Sequence, residues 1–332
     1  MSESSSRAGR SLLWTAARIL FPALGILLAV LYPLAMSRDF EFSIGHFARG
    51  SVLFGLVTAL SVCGILAAIL SSLPFARGHA LSTLPAPGPV SVFGAVLGAC
   101  MAVWIPIRLI STYSLDLANQ TAQSLSPVKL ALAAGLLGLS LAAALPLSLS
   151  DEKRRTAYGV ILILVGALSV NISMFAAYFD FSVPLNSPVR NLTTLAQASV
   201  LLFLLAEARI SLTPKEEPSS LPPSFQIFTS SVCAVFGIGI GGGGAVWQIA
   251  RSFSFGSEII GKTPEPNLLL ARLALYFAVG CVAADRLWHT DLRKLTAEEI
   301  EEAKRRAEEE KKKKKNKSRP DDGKTEPGGD QA

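Results

Sequence analysis

The amino-acid sequence predicts an all-α polytopic transmembrane bundle of about eight spans with a charged C-terminal tail. Composition is the first reason: half of the 332 residues are hydrophobic and 17% are charged, against about 25% charged in ordinary soluble domains. Hydropathy is the second, with a mean of +0.43. The third is that the apolar residues gather into separate stretches of about the 20 residues a helix needs to cross a bilayer.

The spans are expected at residues 12–36, 52–73, 90–110, 128–149, 158–179, 192–210, 225–249 and 268–287. The first has a basic lead in Arg7, Arg10 and Arg18. Its apolar run is long and no small-x-small cleavage site follows at Met36-Ser37-Arg38, so it is expected to stay as an uncleaved anchor. Gln197, Glu207 and Arg209 dilute the sixth span. The connections are short and rich in Pro, Ser and Gly, and none is long enough to fold as a soluble domain.

Residues 290–332 read as a different material. Thr296 followed by Glu299 is a capping-box signature, and Glu301–Arg305 and Glu302–Arg306 are i,i+4 pairs of the favourable order. A charged helix is expected to about residue 315. Beyond Pro320 the composition predicts disorder. The run Lys311–Lys315 is either a solvated charge run or a clamp on anionic lipid headgroups, and Glu308–Glu310 beside it favours the first. Before the tail the basic residues divide almost evenly between the two sides. The tail and the cluster Lys153-Arg154-Arg155 then place both termini in the cytoplasm.

The formal charge of +6 follows from these ends and loops, and predicts contact with the bilayer rather than nucleic acid. Other partners read from this pattern are a protein partner or a second copy of the chain. Cys63, Cys100, Cys233 and Cys281 each lie in an apolar stretch. They form no CxxC pair and no zinc spacing, and behave as small hydrophobes.

Two formal nucleotide motifs fail on context. Residues 256–263 fit GxxxxGK[ST], but Pro264 and Pro266 follow at once and no parallel-sheet strand precedes. Gly239-x-Gly241-x-x-Gly244 fits the dinucleotide fingerprint inside an apolar span without a βαβ unit. No cofactor is expected.

The glycine run 237–244 that contains this second motif is more informative. Either another helix packs closely on it, or span seven unwinds and its backbone lines a cavity, or the span ends near Ile240. Gly94 with Gly98, and Gly135 with Gly138, predict helix–helix contacts.

Polar groups at membrane depth are few, and they are where function is sought. Asn171 is central in span five. Arg272 sits about one turn into span eight and can snorkel. Glu207, Arg209, Asp285 and Arg286 close their spans, and Glu207, Asp285 and Arg286 are expected at the interface. The candidate transport or packing site is therefore Asn171, Gly239, Gly241, Gly242, Gly243, Gly244 and Arg272. The histidines, His46, His79 and His289, lie in loops or at a span end. No nucleophile with a base or metal ligands stands at depth, so no catalytic or metal residue is expected.

One segment carries a resemblance. Tyr178-Phe179-Asp180-Phe181, then Pro184-Leu185-Asn186-Ser187-Pro188, precede an apolar span that ends Glu207-Ala208-Arg209. This segment of spans five and six resembles uncharacterised multi-pass membrane proteins of clostridial-type bacteria. The resemblance implies a bacterial cytoplasmic membrane and brings no activity with it.

The expected role is that of a non-enzymatic integral membrane protein: structural, regulatory or partner-binding. The alternative is a facilitative transporter or channel-like carrier with its site near Asn171 and the glycine run.

Overall fold

The computed structural model describes residues 2–41, 44–75, 79–81, 87–118, 127–147, 151–178, 187–212, 223–254, 266–290 and 292–294, with Glu301 and Arg305. The helices are α1 (Ser2–Arg38), α2 (Val52–Ser72), α3 (Pro89–Ala118), α4 (Pro127–Ala144) and the short α5 (Asp151–Arg155). After them come α6 (Ala157–Tyr178), α7 (Pro188–Leu212), α8 (Pro223–Phe236), α9 (Gly243–Ser254) and α10 (Pro266–His289). A π-helical segment, Gly237–Gly242, joins α8 to α9 without a break. Several of these helices open on proline, whose fixed φ suits a first turn and whose missing N–H is not needed there.

Among the described residues seven helices are long and apolar enough to cross a membrane, counting α8 through α9 as one. The fourth expected span, α4, is apolar over the shorter stretch Leu130–Ala144. Its 18 residues make about 27 Å of helix at 1.5 Å per residue, close to the ~30 Å hydrocarbon thickness. The expected span 128–149 runs too far. The helix stops at Ala144 because Pro146 lacks an N–H and constrains the residue before it. Span seven does not end near Ile240 but continues helically to Ser254.

Contacts between the helix ends fix their alternation. At one end Arg18 of α1 donates to the Thr290 carbonyl just past α10. The Gly88 N–H, just before α3, donates to Asp285 of α10 at 2.9 Å. Arg286 of α10 donates to the Leu147 carbonyl beyond α4 at 2.9 Å, and Arg154 of α5 reaches Glu207 of α7. Strand β3 (His79–Leu81), after α2, pairs antiparallel with β4 (Leu292–Lys294), after α10. This is the charged end. The hairpin end holds the two-residue strands β1 (Phe40–Glu41) and β2 (His46–Phe47), which pair antiparallel through a turn where Gly45 has φ 69°. There Ser187, before α7, donates to the Gly45 carbonyl at 2.9 Å.

The middle of the bundle is the α8–α9 rod with α10. In the most apolar stretch of Pro223–Arg251, 83% of residues are buried, against 22% in Val52–Phe75. The rod is therefore central and α2 peripheral. Ile26 and Val30 of α1, Leu66 and Leu70 of α2, and Val103 and Ile107 of α3 are exposed. In water such faces would be costly; in a bilayer they meet lipid tails as apolar as themselves.

The tail from residue 295 lies outside the described residues apart from Glu301 and Arg305, both helical and exposed. So does the GxxxxGK[ST] match at residues 256–263.

Candidate functional site

The glycine run is helical and tightly flanked on two sides. A Cβ on Gly239 would lie 2.7 Å from Leu28 Cβ, and one on Gly243 would lie 3.0 Å from the Ala29 carbonyl oxygen, both on α1. A Cβ on Gly237 would lie 2.7 Å from Gly280 Cα, and one on Gly241 would lie 2.8 Å from Phe277 N, both on α10. Gly242 faces the Phe277 ring and Gly244 faces Leu273, again on α10. The spacing explains the division: 239 with 243, and 237 with 241, recur at one helical turn. The run is thus a two-sided seam through which α1 and α10 approach the rod. Its backbone bonds persist, and the Gly243 N–H reaches the Gly239 and Ile240 carbonyls. The sequence alternative of an unwound, cavity-lining segment gives way to close packing, as small residues allow. The paired glycines of α3 and α4 do likewise. Gly94 faces the Ala278 carbonyl of α10, Gly98 the Ser140 carbonyl of α4, and Gly135 and Gly138 face Ser169 and Val165 of α6.

A polar cluster lies beside this seam. Three donors converge on the buried hydroxyl of Ser173 on α6. They are Arg272 Nη1 at 3.0 Å, Gln197 Nε2 at 3.3 Å and the Tyr276 hydroxyl at 3.5 Å. Arg272 and Tyr276 share a face of α10, one turn apart. Gln197 and Tyr276 are fully buried, and Arg272 is half-buried. Gln197 Oε1 and Arg272 Nε are buried without a hydrogen-bond partner. Arg272 lies about 9 Å along α10 at 1.5 Å per residue. A bare guanidinium at the bilayer centre costs about 2.5–3.5 kcal/mol on insertion scales. Arg272 turns to Ser173 rather than standing bare.

A second cluster sits about one turn inside the charged end. Arg154 and Glu207 are both 0% exposed and meet at 2.5 Å. Asp151 takes a further bond from Arg154 at 3.0 Å and pairs with Arg155. Gln226 Nε2 donates to Glu207 Oε1 at 2.8 Å, and Arg286 Nε lies 3.7 Å from the same oxygen. Asp285, buried, holds His289 at 3.3 Å and the Gly88 N–H. Burial without pairing would be prohibitive for these charges, so each is paired. Arg286 also donates to the Leu147 carbonyl, just past the end of α4.

Of the residues singled out from sequence, Gly241, Gly242 and Gly244 come together against Leu273, Tyr276 and Phe277, while Arg272 turns to Ser173 of α6. Gly239 and Gly243 face α1 instead. Asn171 is half-buried on α6, and its side chain has no hydrogen-bond partner among the described residues. Glu207, Asp285 and Arg286 are not exposed at an interface, as their positions near span ends suggested; they are covered by protein. Arg154 is likewise not a solvated topology charge but a fully buried one. Sequence reading passed over Ser173, Tyr276 and Gln226, and took Gln197 only as a residue that dilutes the sixth span. The available signal was a set of polar residues inside spans, but their convergence depends on which helices are neighbours. Among the described residues no group of His, Cys, Asp and Glu is arranged to hold a metal ion.

No protein-family model matches the chain, no curated protein matches it and no solved structure matches it. The seven apolar helices of spanning length mark it as an integral membrane protein of all-α architecture.

Proposed function

We propose that this chain is a non-enzymatic integral membrane protein that acts as a structural, regulatory or partner-binding component and passes no solute along its glycine run. Its membrane is the cytoplasmic membrane of a bacterium, with both termini inside. That location rests on the basic tail and on the resemblance over spans five and six. The single observation that carries the role is the two-sided closure of the glycine run. Backbone of α10 lies 2.7–2.8 Å from where a Cβ on Gly237 or Gly241 would stand. A seam this close leaves no water-filled lining for the backbone.

The carrier reading has one specific observation behind it. Ser173, Gln197, Arg272 and Tyr276 gather polar groups at depth, with Gln197 Oε1 unpartnered. Polar groups inside a bundle mark substrate paths in many membrane proteins.

Reconstitution into liposomes separates the two. Osmotic swelling with small neutral, cationic and anionic solutes is expected to match protein-free vesicles. A saturable flux that Gly241→Val abolishes would overturn the proposal in favour of the carrier.

A further inference from the structure

We infer that Arg272, Ser173, Tyr276 and Gln197 form a binding site for a phosphate group, reached from the side on which Arg272 is half-exposed. The cluster holds more donors than acceptors. The Ser173 oxygen has two lone pairs, yet Arg272 Nη1, Gln197 Nε2 and the Tyr276 hydroxyl all aim at it. Arg272 Nε is buried with no partner at all. No carboxylate among the described residues reaches the Arg272 guanidinium, whereas the buried arginines of the charged end are met by Glu207 and Asp151.

Gln197 supplies the second, independent observation. It is fully buried against Ser173, and its Oε1 has no partner. Turning the amide over, an assignment rather than an observation, exchanges the stranded acceptor for a stranded NH2 donor. Ser173 then donates to the amide oxygen, and the amide adds an unpartnered NH2 donor to the cluster. A phosphate, with three or four acceptor oxygens, matches such a set better than a two-oxygen carboxylate. The guanidinium fork is suited to it geometrically. The phosphate belongs either to a lipid headgroup or to a free anion, and both share this chemistry. The site goes beyond the proposed function and stands whether or not the bundle conducts.

Thermal unfolding of the full chain in a neutral detergent tests it. The probes are inorganic phosphate, short-chain phosphatidic acid, and the corresponding diacylglycerol as a tail-only control. A saturable rise in the midpoint with phosphate identifies a free anion. A rise with phosphatidic acid alone identifies a headgroup. In Arg272→Gln the apparent affinity is expected to fall about ten- to hundred-fold, the loss of one charge-assisted hydrogen-bond set. Exposed Arg49→Gln is expected to bind as wild type. Should Arg272→Gln fail to fold, Ser173→Ala is read the same way, with about a ten-fold loss expected. The inference is overturned if neither phosphate probe shifts the wild type, if diacylglycerol shifts it equally, or if the variant binds as tightly as wild type.

Discussion

Glu207 stands between Arg154 and Arg286, and removing its charge would take one carboxylate from each of two buried guanidiniums. Its two oxygens take Arg154 at 2.5 Å and Gln226 at 2.8 Å, with Arg286 at 3.7 Å. Breaking a buried pair by neutralising one partner typically costs about 3–5 kcal/mol, because the remaining charge is desolvated and uncompensated. Glu207→Gln is therefore expected to lower stability by about that amount in thermal or denaturant unfolding. Glu152 is exposed on α5, two residues before Arg154, and Glu152→Gln is expected to change stability by less than about 0.5 kcal/mol. Equal effects of the two would contradict the buried network. Glu207 and Arg154 were visible in the sequence, the one as a diluting charge near a span end, the other within a basic triplet. Their pairing was not visible, because 53 positions separate them and only the neighbourhood of α5 and α7 closes that distance.

Close approach at the level of the helix is what the glycines record. A Cβ on Gly280 would lie 2.6 Å from Ile238 N, and one on Gly237 would lie 2.7 Å from Gly280 Cα. Both obstacles are backbone, which cannot swing aside. Gly237→Ala and Gly280→Ala are each expected to destabilise by roughly 1–3 kcal/mol, the range for overpacking. Gly55 of α2 has nothing within 4 Å of its would-be Cβ. Gly55→Ala is expected to be neutral or to stabilise by up to about 1 kcal/mol through helix propensity. The order of the three in urea or thermal unfolding checks the seam, and a neutral Gly237→Ala would contradict it.

The elements themselves were largely legible, since a run of about 20 apolar residues in a bilayer has few options besides a helix. The π-helical register of Gly237–Gly242 was not, because a glycine run carries no side-chain pattern from which to read a phase. Nor was the early stop of α4, where apolar continuity through Leu147 masked the effect of Pro146.

At the scale of the whole molecule, the arrangement is a buried rod of α8, the π segment and α9 beside α10, with α1, α2, α3, α4, α6 and α7 around them. Seven of the eight expected spans are helices of spanning length among the described residues, and α4 is a shorter apolar helix. The outer helices α1 and α2 are more apolar than the inner ones, with a mean hydropathy of 2.5 in Val52–Phe75 and 2.3 in Trp14–Arg38 against 1.6 in Pro223–Arg251 and 1.8 in Leu268–His289, because these outer ones face lipid tails while the inner ones pack through small and polar residues. The central pair also carries small residues that recur at a helical turn.

The protein's own cysteines divide along the same line. Cys63 of α2 and Cys100 of α3 are exposed on outer helices, while Cys233 of α8 and Cys281 of α10 are buried on inner ones. Native membranes treated in parallel with a lipid-soluble maleimide and a charged, water-soluble thiol reagent therefore read the bundle directly. The expected result is that the lipid-soluble reagent modifies Cys63 and Cys100, while Cys233 and Cys281 resist both reagents until detergent and denaturant are added. Labelling of Cys233 or Cys281 by the charged reagent in intact membranes, at the rate of an exposed thiol, would mean that water reaches the rod and would contradict the closed glycine seam.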